Sequence, residues 1–145
     1  MDENALHILL MLGFFRSNRE ILHRIAGLGL MPGQPKILEC LRRHDGCSQK
    51  EIGHFCILDK STVTSLLKRM EGAGLIRKEP EPRDQRSLRI YLTETGRQKG
   101  KQVQELMEKI DGTMWEGISP QEKALFLKIF HQIINNQKKW EGDRP

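Results

Sequence analysis

The sequence lacks the features of disulfide-bonded, secreted and membrane proteins. Its three cysteines form no Cys-x-x-Cys pair and are odd in number, which argues against a disulfide framework and fits a reducing cytoplasm. The apolar run 5–15 is interrupted by His7 and is too short to cross a bilayer. The acidic start Met-Asp-Glu lacks the positive charge of a signal peptide. We therefore expect a cytoplasmic protein without a targeting segment or membrane anchor.

Recognisable catalytic motifs are also missing. The sequence contains no His-Glu-x-x-His, no Gly-x-Ser-x-Gly and no phosphate-binding loop, and its five histidines are scattered. We therefore expect neither catalytic residues nor a cofactor. A metal site built from His and Glu of separate helices stays an alternative, because no sequence spacing tests it.

Acidic residues are scarce in the middle of the chain. Residues 60–101 hold eleven Lys and Arg but only five acids, a net charge of +6, whereas the rest of the 145 residues carries −1. The positive excess therefore lies in one block, as expected of a nucleic-acid-binding protein. A solvated basic surface is the alternative interpretation. The length allows one domain, or a small domain with accessory helices.

The basic block begins with a predicted amphipathic helix over 60–71. Asp59 is expected to cap its start, and Gly72 or Gly74 to end it. Its apolar stripe consists of Val63, Leu66, Leu67 and Met70. Its polar face has hydroxyls, then cations, and no acid: Lys60, Ser61, Thr62, Thr64, Ser65, Lys68 and Arg69. Such a face predicts contact with an anion, and we interpret the helix as a DNA recognition helix.

The residues before this helix predict a helix-turn-helix. One helix is expected over about 34–44. Ser48 and Glu51 have the spacing of a capping box that starts a short helix, about 49–56. Three side chains of the short helix are expected to be buried: Ile52, Phe55 and Cys56. The connection 57–59 is short enough for the turn of a helix-turn-helix.

Two stretches after the recognition helix alternate apolar and polar residues, as β-strands do. They cover 75–80 and 88–93 and flank a charged, proline-containing loop, 81–87. This is a predicted β-hairpin, the wing of a winged helix. Its cations are expected at two places: Arg77, Lys78 and Arg89 on the outer face, and Arg83 and Arg86 near the tip. Asp84 is expected either to hold the loop or to aim the Arg86 guanidinium, which suits a narrow minor groove.

The predicted terminal helices carry more apolar surface than a small winged domain can cover. The first, about 4–26, is apolar nearly all round in its first half, which favours a partner subunit over an unusually central place in the core. A long helix over about 94–117, expected to be capped by Thr93, follows, and a capping box, 119–122, opens the last. This last helix is expected to bury Leu125, Phe126, Ile129, Phe130, Ile133 and Ile134, and a polar tail, 138–145, to fray. Terminal helices paired across a two-fold axis would give two DNA-reading heads.

Six strings of this sequence resemble the MarR (multiple-antibiotic-resistance regulator) family of bacterial winged helix-turn-helix transcription factors. They are LMPGQP at 30–35, GCSQKE at 46–51, STVT at 61–64, EGAGLI at 71–76, DQRS at 84–87 and YLTETG at 91–96. The resemblance covers nearly the whole chain, and the order and spacing of the strings are specific where any one string is not.

The resemblance implies a mainly α fold of the α+β winged-helix type. Residues 31–93 would form the winged helix-turn-helix DNA-binding core, and 1–30 with 94–145 the dimerisation domain. It also implies a homodimer on a pseudo-palindromic operator in double-stranded DNA, in many members a repressor released by a small aromatic or anionic effector. By position, Ser61, Thr62, Thr64, Ser65 and Lys68 would lie in the major groove, Arg86, oriented by Asp84, in the minor groove, and Ser48 and Gln49 near a phosphate.

The sequence departs from the family pattern at two places. Gln85 stands where many relatives carry a second Arg, so weaker binding of DNA by the wing is expected. Residues 2–26 hold no Cys, whereas thiol-sensing relatives place a reactive one in the first helix. Cys40 and Cys56 are expected in the core, and only Cys47 is expected to be exposed with a lowered pKa.

A ligand pocket is expected between the dimer helices and the winged domain, lined by Met11, Phe14 or Phe15. The alternatives are a metal- or thiol-responsive regulator on the same scaffold, and a dimeric interaction module whose basic block binds an acidic protein.

Overall fold

The computed structural model describes residues 2–142, except for the side chain of Gln85. Within these residues the helices and strands follow the order predicted for a winged helix: α1 (Leu6–Ala26), α2 (Gln34–Arg43), β1 (Cys47–Ser48), α3 (Gln49–Cys56), α4 (Lys60–Gly72), β2 (Ile76–Glu81), β3 (Asp84–Leu92), α5 (Glu94–Met114) and α6 (Pro120–Gln137). The predicted fold class is confirmed. A short 3-10 helix, Lys138–Trp140, begins the predicted tail, whose end, 143–145, lies outside the described residues.

The wing is longer than predicted. The antiparallel strands β2 and β3 stay paired out to Glu81 and Asp84, with a bulge after Pro80. The predicted loop 81–87 is therefore wrong, and only Pro82 and Arg83 connect the strands. The alternation of apolar and polar residues stops early because the distal hairpin buries neither face, so it needs no apolar side chains there.

The strand β1 was not predicted from the sequence. The three strands are ordered β1-β3-β2, and β1 pairs Cys47 with Ile90 and Ser48 with Arg89. Two residues are too few to show an alternating pattern. The pairing fastens the start of α3 to the wing, so the two predicted DNA-contacting elements form one body.

The chain divides into two compact units, Met1–Ile110 and Asp111–Pro145. The core of the first unit joins α2, α3, α4, the sheet and the first part of α5. Its most buried side chains come from all of these elements: Ile37, Leu38, Leu41, Ile52, Val63, Leu67, Met70, Ile90 and Val103. The predicted apolar stripe of α4 is thereby confirmed, with Leu66 only 7% exposed.

One predicted core residue of α3 lies at the surface. Ile52 and Cys56, four residues apart, form the inward stripe of this eight-residue helix. Phe55 lies at the edge of the stripe and is 53% exposed, with its ring stacked on His44 at 5.1 Å. Its predicted burial is wrong, because so short a helix buries only one narrow stripe.

The turn between α3 and α4 is tightly built. Ile57 has a φ of 55°, an uncommon left-handed conformation for a β-branched residue. The N–H of Leu58 donates to the Gly53 carbonyl at 3.0 Å. A Cβ on Gly53 would lie 3.1 Å from the Leu58 carbonyl oxygen, so glycine permits this close approach. The turn therefore sets the start of α4 directly against α3.

Helix α5 begins directly against the base of the wing. Thr93 caps it as predicted, with its hydroxyl accepting from the Gly96 N–H at 3.0 Å and donating to the Gly74 carbonyl at 2.6 Å. A Cβ on Gly96 would lie 1.9 Å from the Leu75 carbonyl oxygen, which only glycine avoids.

Helix α1 leaves most of its apolar surface uncovered. Ile25 is its only buried residue. The large side chains of its first half are exposed, Phe14 at 69%: Leu6, Leu9, Met11, Leu12, Phe14 and Phe15. The alternative of an unusually central core helix is therefore excluded. The described residues of this chain do not cover the apolar face.

Helix α6, in the second unit, also leaves its stripe uncovered. Its predicted capping box is confirmed, because Ser119 and Glu122 exchange both hydrogen bonds. No residue of α6 is buried. Four of the six side chains expected to face inward are exposed: Leu125, Phe126, Ile129 and Ile134. The predicted inward placement is wrong for a single chain: Trp115 contacts Phe126, but most of the stripe stays exposed among the described residues.

Candidate DNA-binding surface

Helix α4 presents its predicted polar face to solvent. Thr62 is half-buried, and the other six residues of that face are exposed: Lys60, Ser61, Thr64, Ser65, Lys68 and Arg69. The buried stripe on the opposite side fixes this orientation. All seven predicted contact residues of α4 therefore lie on one accessible surface.

Asp59 orders the start of that surface. Its Oδ1 accepts hydrogen bonds from the Thr62 N–H at 2.8 Å and the Ser61 hydroxyl at 2.7 Å, and its Oδ2 accepts from the Thr62 hydroxyl at 2.8 Å. These bonds, that of the Thr62 backbone first, lower the pKa of Asp59 from 3.8 to about 2. The predicted cap is confirmed, and the ionised carboxylate also holds two hydroxyls of the recognition helix.

A second set of hydrogen bonds joins α3 to α4. The Thr64 hydroxyl donates to the Lys60 carbonyl at 2.9 Å and accepts from Gln49 Nε2. Because the Thr64 proton is committed to a carbonyl, its oxygen can only accept from Gln49. The NH₂ end of the Gln49 amide therefore faces α4, and the two predicted contact residues act as a pair.

The exposed start of α3 is capped by Ser48, whose Oγ accepts from the Glu51 N–H at 3.1 Å. Only this half of the predicted capping box forms. The Glu51 carboxylate does not return a bond to Ser48 among the described residues. Ser48 and Gln49 are half-buried, so both border the surface rather than project from it.

The wing tip carries the least restrained cations. Arg83 lies in the two-residue connection and Arg86 early in β3, both exposed, and neither forms an ion pair among the described residues. Asp84 accepts from the Arg86 backbone N–H at 3.0 Å. Asp84 was predicted either to hold the loop or to aim the Arg86 guanidinium. The first role is confirmed by this backbone hydrogen bond. No ion pair between Asp84 and the Arg86 guanidinium forms among the described residues.

The other two arginines of the wing are engaged by the protein. The Arg77 guanidinium lies 4.6 Å from the Tyr91 ring centroid and 3.4 Å from the Glu79 carboxylate. The Arg89 guanidinium pairs with Glu81 and donates to the Gly46 carbonyl at 3.1 Å. Both sit on the outer face, as predicted, but their charged groups brace the wing.

Lys78 is not on the outer face, and that prediction is wrong. Its partner across the sheet is the buried Ile90, so the two share the inner face. The Lys78 ammonium lies 3.7 Å from the Glu71 carboxylate at the end of α4. The sequence misplaced it because Arg77 and Lys78 are adjacent cations, and adjacent residues of a strand point to opposite faces.

A cleft of about 770 Å³ lies between the starts of α3 and α4 and the strand β3. Its lining includes predicted contact residues from all three elements and two residues that sequence reasoning missed: Ser48, Gln49, Lys60, Arg86, Lys50 and His54. The signal for Lys50 was its place directly after Ser48 and Gln49 at an exposed helix start. The lining also includes the apolar Leu58, Val63 and Leu88. Its three cations, Lys50, Lys60 and Arg86, suit an anionic backbone.

Met31 is a further residue of the surface that the sequence did not reveal. The Arg69 guanidinium contacts its sulfur at 2.8 Å, and Met31 lines a shallow groove with Ser61, Thr62 and Ser65. The loop before α2 therefore extends the polar face of α4.

The three cysteines are all buried, and the predicted exposure of Cys47 is wrong. Burial raises the pKa of Cys47 to about 12 and that of Cys40 to about 11, and it also raises the pKa of Cys56. The Cys47 thiol donates to the His44 carbonyl at 2.8 Å. Placement of Cys47 in β1, against Ile90, is what buries it. Protonated thiols of this kind react slowly, which weighs against a thiol-responsive regulator.

Of the three residues expected to line a ligand pocket, only Phe15 lines a pocket on α1. A surface pocket of about 540 Å³ is lined by Phe15 together with Leu12, Arg16, Arg19, Glu20 and His23. Met11 and Phe14 are exposed but do not line it. All six lining residues belong to α1, so this pocket is not the one expected between the dimer helices and the winged domain.

The described residues 2–142 contain neither a candidate metal site nor a candidate membrane span. No three His, Cys, Asp or Glu side chains among them come together as a metal site requires. None of their helices combines the length and apolar character needed to span a membrane.

Comparison with known proteins relates this surface to a family. A model of the MarR family matches residues 30–88. The Bacillus subtilis (strain 168) helix-turn-helix regulator YwhA is 31% identical over 97 residues, which cover 67% of this chain and 70% of that protein. A MarR-family transcriptional regulator from Silicibacter pomeroyi superposes with a TM-score of 0.82 at 30% identity, covering 92% of this chain and 90% of that one.

Some of the similar structures include DNA. The transcriptional repressor CouR, bound to a 23-mer DNA duplex, superposes with a TM-score of 0.81 at 25% identity, over 92% of this chain and 96% of that one.

Proposed function

This chain belongs to the MarR family of DNA-binding transcriptional regulators, and from that premise we propose that it is a homodimeric repressor of a pseudo-palindromic operator. The observation that carries the proposal is the exposed polar face of α4 with the cation-lined cleft beside it. Residues 31–93 would read DNA, and residues 1–30 and 94–145 would each contribute to dimerisation. Its place of action would be the cytoplasm, where bacterial DNA lies.

The contacts divide by chemistry into base readers and backbone binders. Ser61, Thr62, Thr64, Ser65 and Lys68 of α4 would enter the major groove. Ser48 and Gln49, with Lys50 and Lys60 along the cleft, would approach phosphates. Arg86 and Arg83, whose guanidinium groups have no ion-pair partner among the described residues, would reach the minor groove. Arg69 would flank the groove from its contact with Met31.

Three of the predicted wing residues have supporting roles in the same proposal. Arg77 and Arg89 would keep the wing in shape through Tyr91, Glu79 and Glu81. Asp84 would fix the backbone from which the Arg86 side chain projects. Loss of any of the three would then weaken DNA binding indirectly, through the position of Arg86.

The dimer would form through the apolar faces that one chain leaves uncovered. Helix α1 exposes Phe14 at 69% and Met11 at 61%, and helix α6 exposes Leu125 at 57% and Ile129 at 51%. Apolar surface of this extent on two helices favours burial against a second copy, since a monomer would expose it to water.

The effector would be a small aromatic or anionic molecule bound at α1. Phe15 offers a ring for stacking, and Arg16 and Arg19 offer charge to a carboxylate. Met11 and Phe14 would contribute through the dimer contact beside this pocket. Binding there would act on DNA affinity through the position of one subunit relative to the other.

A competition assay separates this function from that of a basic module that binds an acidic protein. Labelled genomic fragments retained by the protein are challenged with either the same unlabelled duplex or a scrambled duplex of equal composition. We expect the unlabelled duplex to compete at least tenfold better at physiological salt, since specific sites bind far more tightly than non-specific DNA. Equal competition by the two duplexes would contradict sequence-specific regulation.

A further inference from the structure

Three hydroxyls at the start of α4 donate their protons in hydrogen bonds to acceptors within the protein. The Ser61 and Thr62 hydroxyls donate to the two oxygens of Asp59 at 2.7 and 2.8 Å. The Thr64 hydroxyl donates to the Lys60 carbonyl at 2.9 Å. Neither acceptor carries a proton of its own at neutral pH, so the hydroxyls must be the donors in all three bonds.

A hydroxyl whose proton is committed can only accept hydrogen bonds from outside. Each hydroxyl has one proton and two lone pairs, and a free Ser or Thr rotates to donate or accept as its partner requires. A free hydroxyl therefore pairs with any base edge, which is why Ser and Thr alone discriminate poorly. The bonds to Asp59 and to the Lys60 carbonyl remove that freedom on the exposed start of α4.

The end of the same helix has the opposite character. Lys68 and Arg69 are exposed and carry only donors. The polar face of α4 therefore runs from acceptors at its start to donors at its end. In the major groove, adenine and cytosine offer amino donors, whereas guanine and thymine offer carbonyl acceptors.

We infer that α4 reads its half-site with a fixed polarity: the hydroxyl oxygens of Ser61, Thr62 and Thr64 accept from the amino groups of adenine or cytosine, and Lys68 and Arg69 donate to guanine or thymine carbonyls or to phosphate. The inference rests on the proposed function and specifies the class of base edge that each part of the helix takes. Asp59 acts in it as a positioning residue, because it sets the direction of two hydroxyls without touching a base.

The inference is tested with base analogues in a duplex selected by the wild-type protein. Each adenine of the half-site is replaced in turn by purine, which lacks the 6-amino group, and each cytosine by 2-pyrimidinone, which lacks the 4-amino group. We expect about a 2- to 10-fold loss of affinity at one or more positions, the worth of one hydrogen bond. The loss should disappear in Ser61→Ala, Thr62→Ala or Thr64→Ala, because the accepting oxygen is then already gone.

The variant Asp59→Asn distinguishes positioning from simple capping. Asn caps helices about as well as Asp, so the thermal midpoint should stay close to that of the wild type. The Asn amide can donate to a hydroxyl oxygen and release that hydroxyl's proton outward. We expect base preference at the coupled position to extend to guanine or thymine. The matched control Ser119→Asn changes a helix cap in the second unit and should leave base preference unaltered.

The possible outcomes separate the inference from the function beneath it. If the wild type selects no duplex, the proposed function and the inference fall together. If it selects a duplex but no amino group is coupled to the three hydroxyls, or if Asp59→Asn folds and keeps the wild-type base preference, the inference alone is overturned. Coupling of an amino group to any of the three hydroxyls, together with the altered preference of Asp59→Asn, supports it.

Discussion

Helices α4 and α6 carry the same kind of apolar stripe, but the stripes have opposite fates in the chain. In α4, Val63, Leu67 and Met70 are fully buried, whereas in α6 Leu125 and Ile129 are 57% and 51% exposed. Both stripes predict a helix with a face to cover, and neither says which chain covers it. The difference shows that the spacing of apolar residues predicts a face that must be buried. Only the structure shows whether a single copy of the chain buries that face.

The same comparison extends to the polar faces. The polar face of α4 is organised by Asp59 and Gln49 into directed hydrogen bonds, at the edge of a cation-lined cleft. In α6, the Ser119–Glu122 capping box bonds to backbone N–H groups, and the side-chain bond between Gln132 and Asn136 follows the helix. This contrast supports the proposal that the winged core recognises DNA and that the terminal helices pair two copies.

The largest effect is expected from removing residues 1–15. This deletion takes away the most exposed apolar part of α1, which we propose to lie in the dimer contact. The truncated chain should be monomeric or aggregated by light scattering, whereas a control lacking only residues 1–4 should remain dimeric. A soluble, stable dimer of the 1–15 deletion would break the division between recognition and assembly.

Leucine-to-alanine changes in the two stripes come next. Leu67→Ala removes a fully buried side chain and should cost about 2–5 kcal/mol of the free energy of unfolding, at any protein concentration. Leu125→Ala should cost less, by an amount that depends on concentration, because the dimer couples to folding. Urea unfolding at two concentrations a hundredfold apart measures both. If Leu125→Ala lowered the free energy of unfolding by the same amount at both concentrations, residues of the same chain would have to bury the Leu125 side chain.

Single cation changes sharpen the assignment of the winged core. Lys68→Ala should weaken binding by about 1–3 kcal/mol and relax specificity if its ammonium contacts a base. Arg86→Ala should weaken binding to all sequences more evenly and lower the slope of affinity against salt by about one. Gel shifts over a salt series test both, with dimer formation as the control. Unchanged affinity for both variants would remove the proposed roles.

The smallest effect concerns acid stability. The folded state lowers the pKa of Asp59 to about 2 from 3.8, so the ionised carboxylate contributes stability above about pH 4. That contribution is lost as the pH falls from about 4 towards 2, because the unfolded carboxylate takes up a proton near its ordinary pKa of 3.8 while the folded one stays ionised down to about 2. The stability difference between the wild type and Asp59→Ala, which lacks the capping carboxylate, should shrink over this range, measured by unfolding at fixed temperature. A difference that stays constant from pH 5 to pH 2 would show that the Asp59 bonds do not form in solution.

Much of the fold could be predicted because its signals are local. The stripe of α4, the caps at Asp59, Thr93 and Ser119 and the turn at 57–59 each depend on neighbours within about one helical turn, and all are present. The strand β1 and the burial of Cys47 could not be predicted, because both depend on pairing with Ile90, far along the chain.

The candidate site was predictable in its residue types and less so in its geometry. The hydroxyl and cation pattern located the polar face of α4. No pattern revealed that the Asp59 carboxylate and the Lys60 carbonyl accept hydrogen bonds from three of its hydroxyls. Lys78 was misplaced because the register of the hairpin decides its face. The engagement of Arg77 and Arg89 depends on cross-strand partners that a linear sequence does not bring together.

The central claim, that a winged core reads DNA while terminal helices pair two copies, is tested most directly by sequencing the DNA that the protein retains from its own genome. The claim predicts an enriched motif with two-fold symmetry, whose half-sites lie about 10 base pairs apart, centre to centre, or a multiple of that spacing. An enriched motif without symmetry would contradict the paired arrangement. Retention of DNA without any enriched motif would contradict recognition by α4.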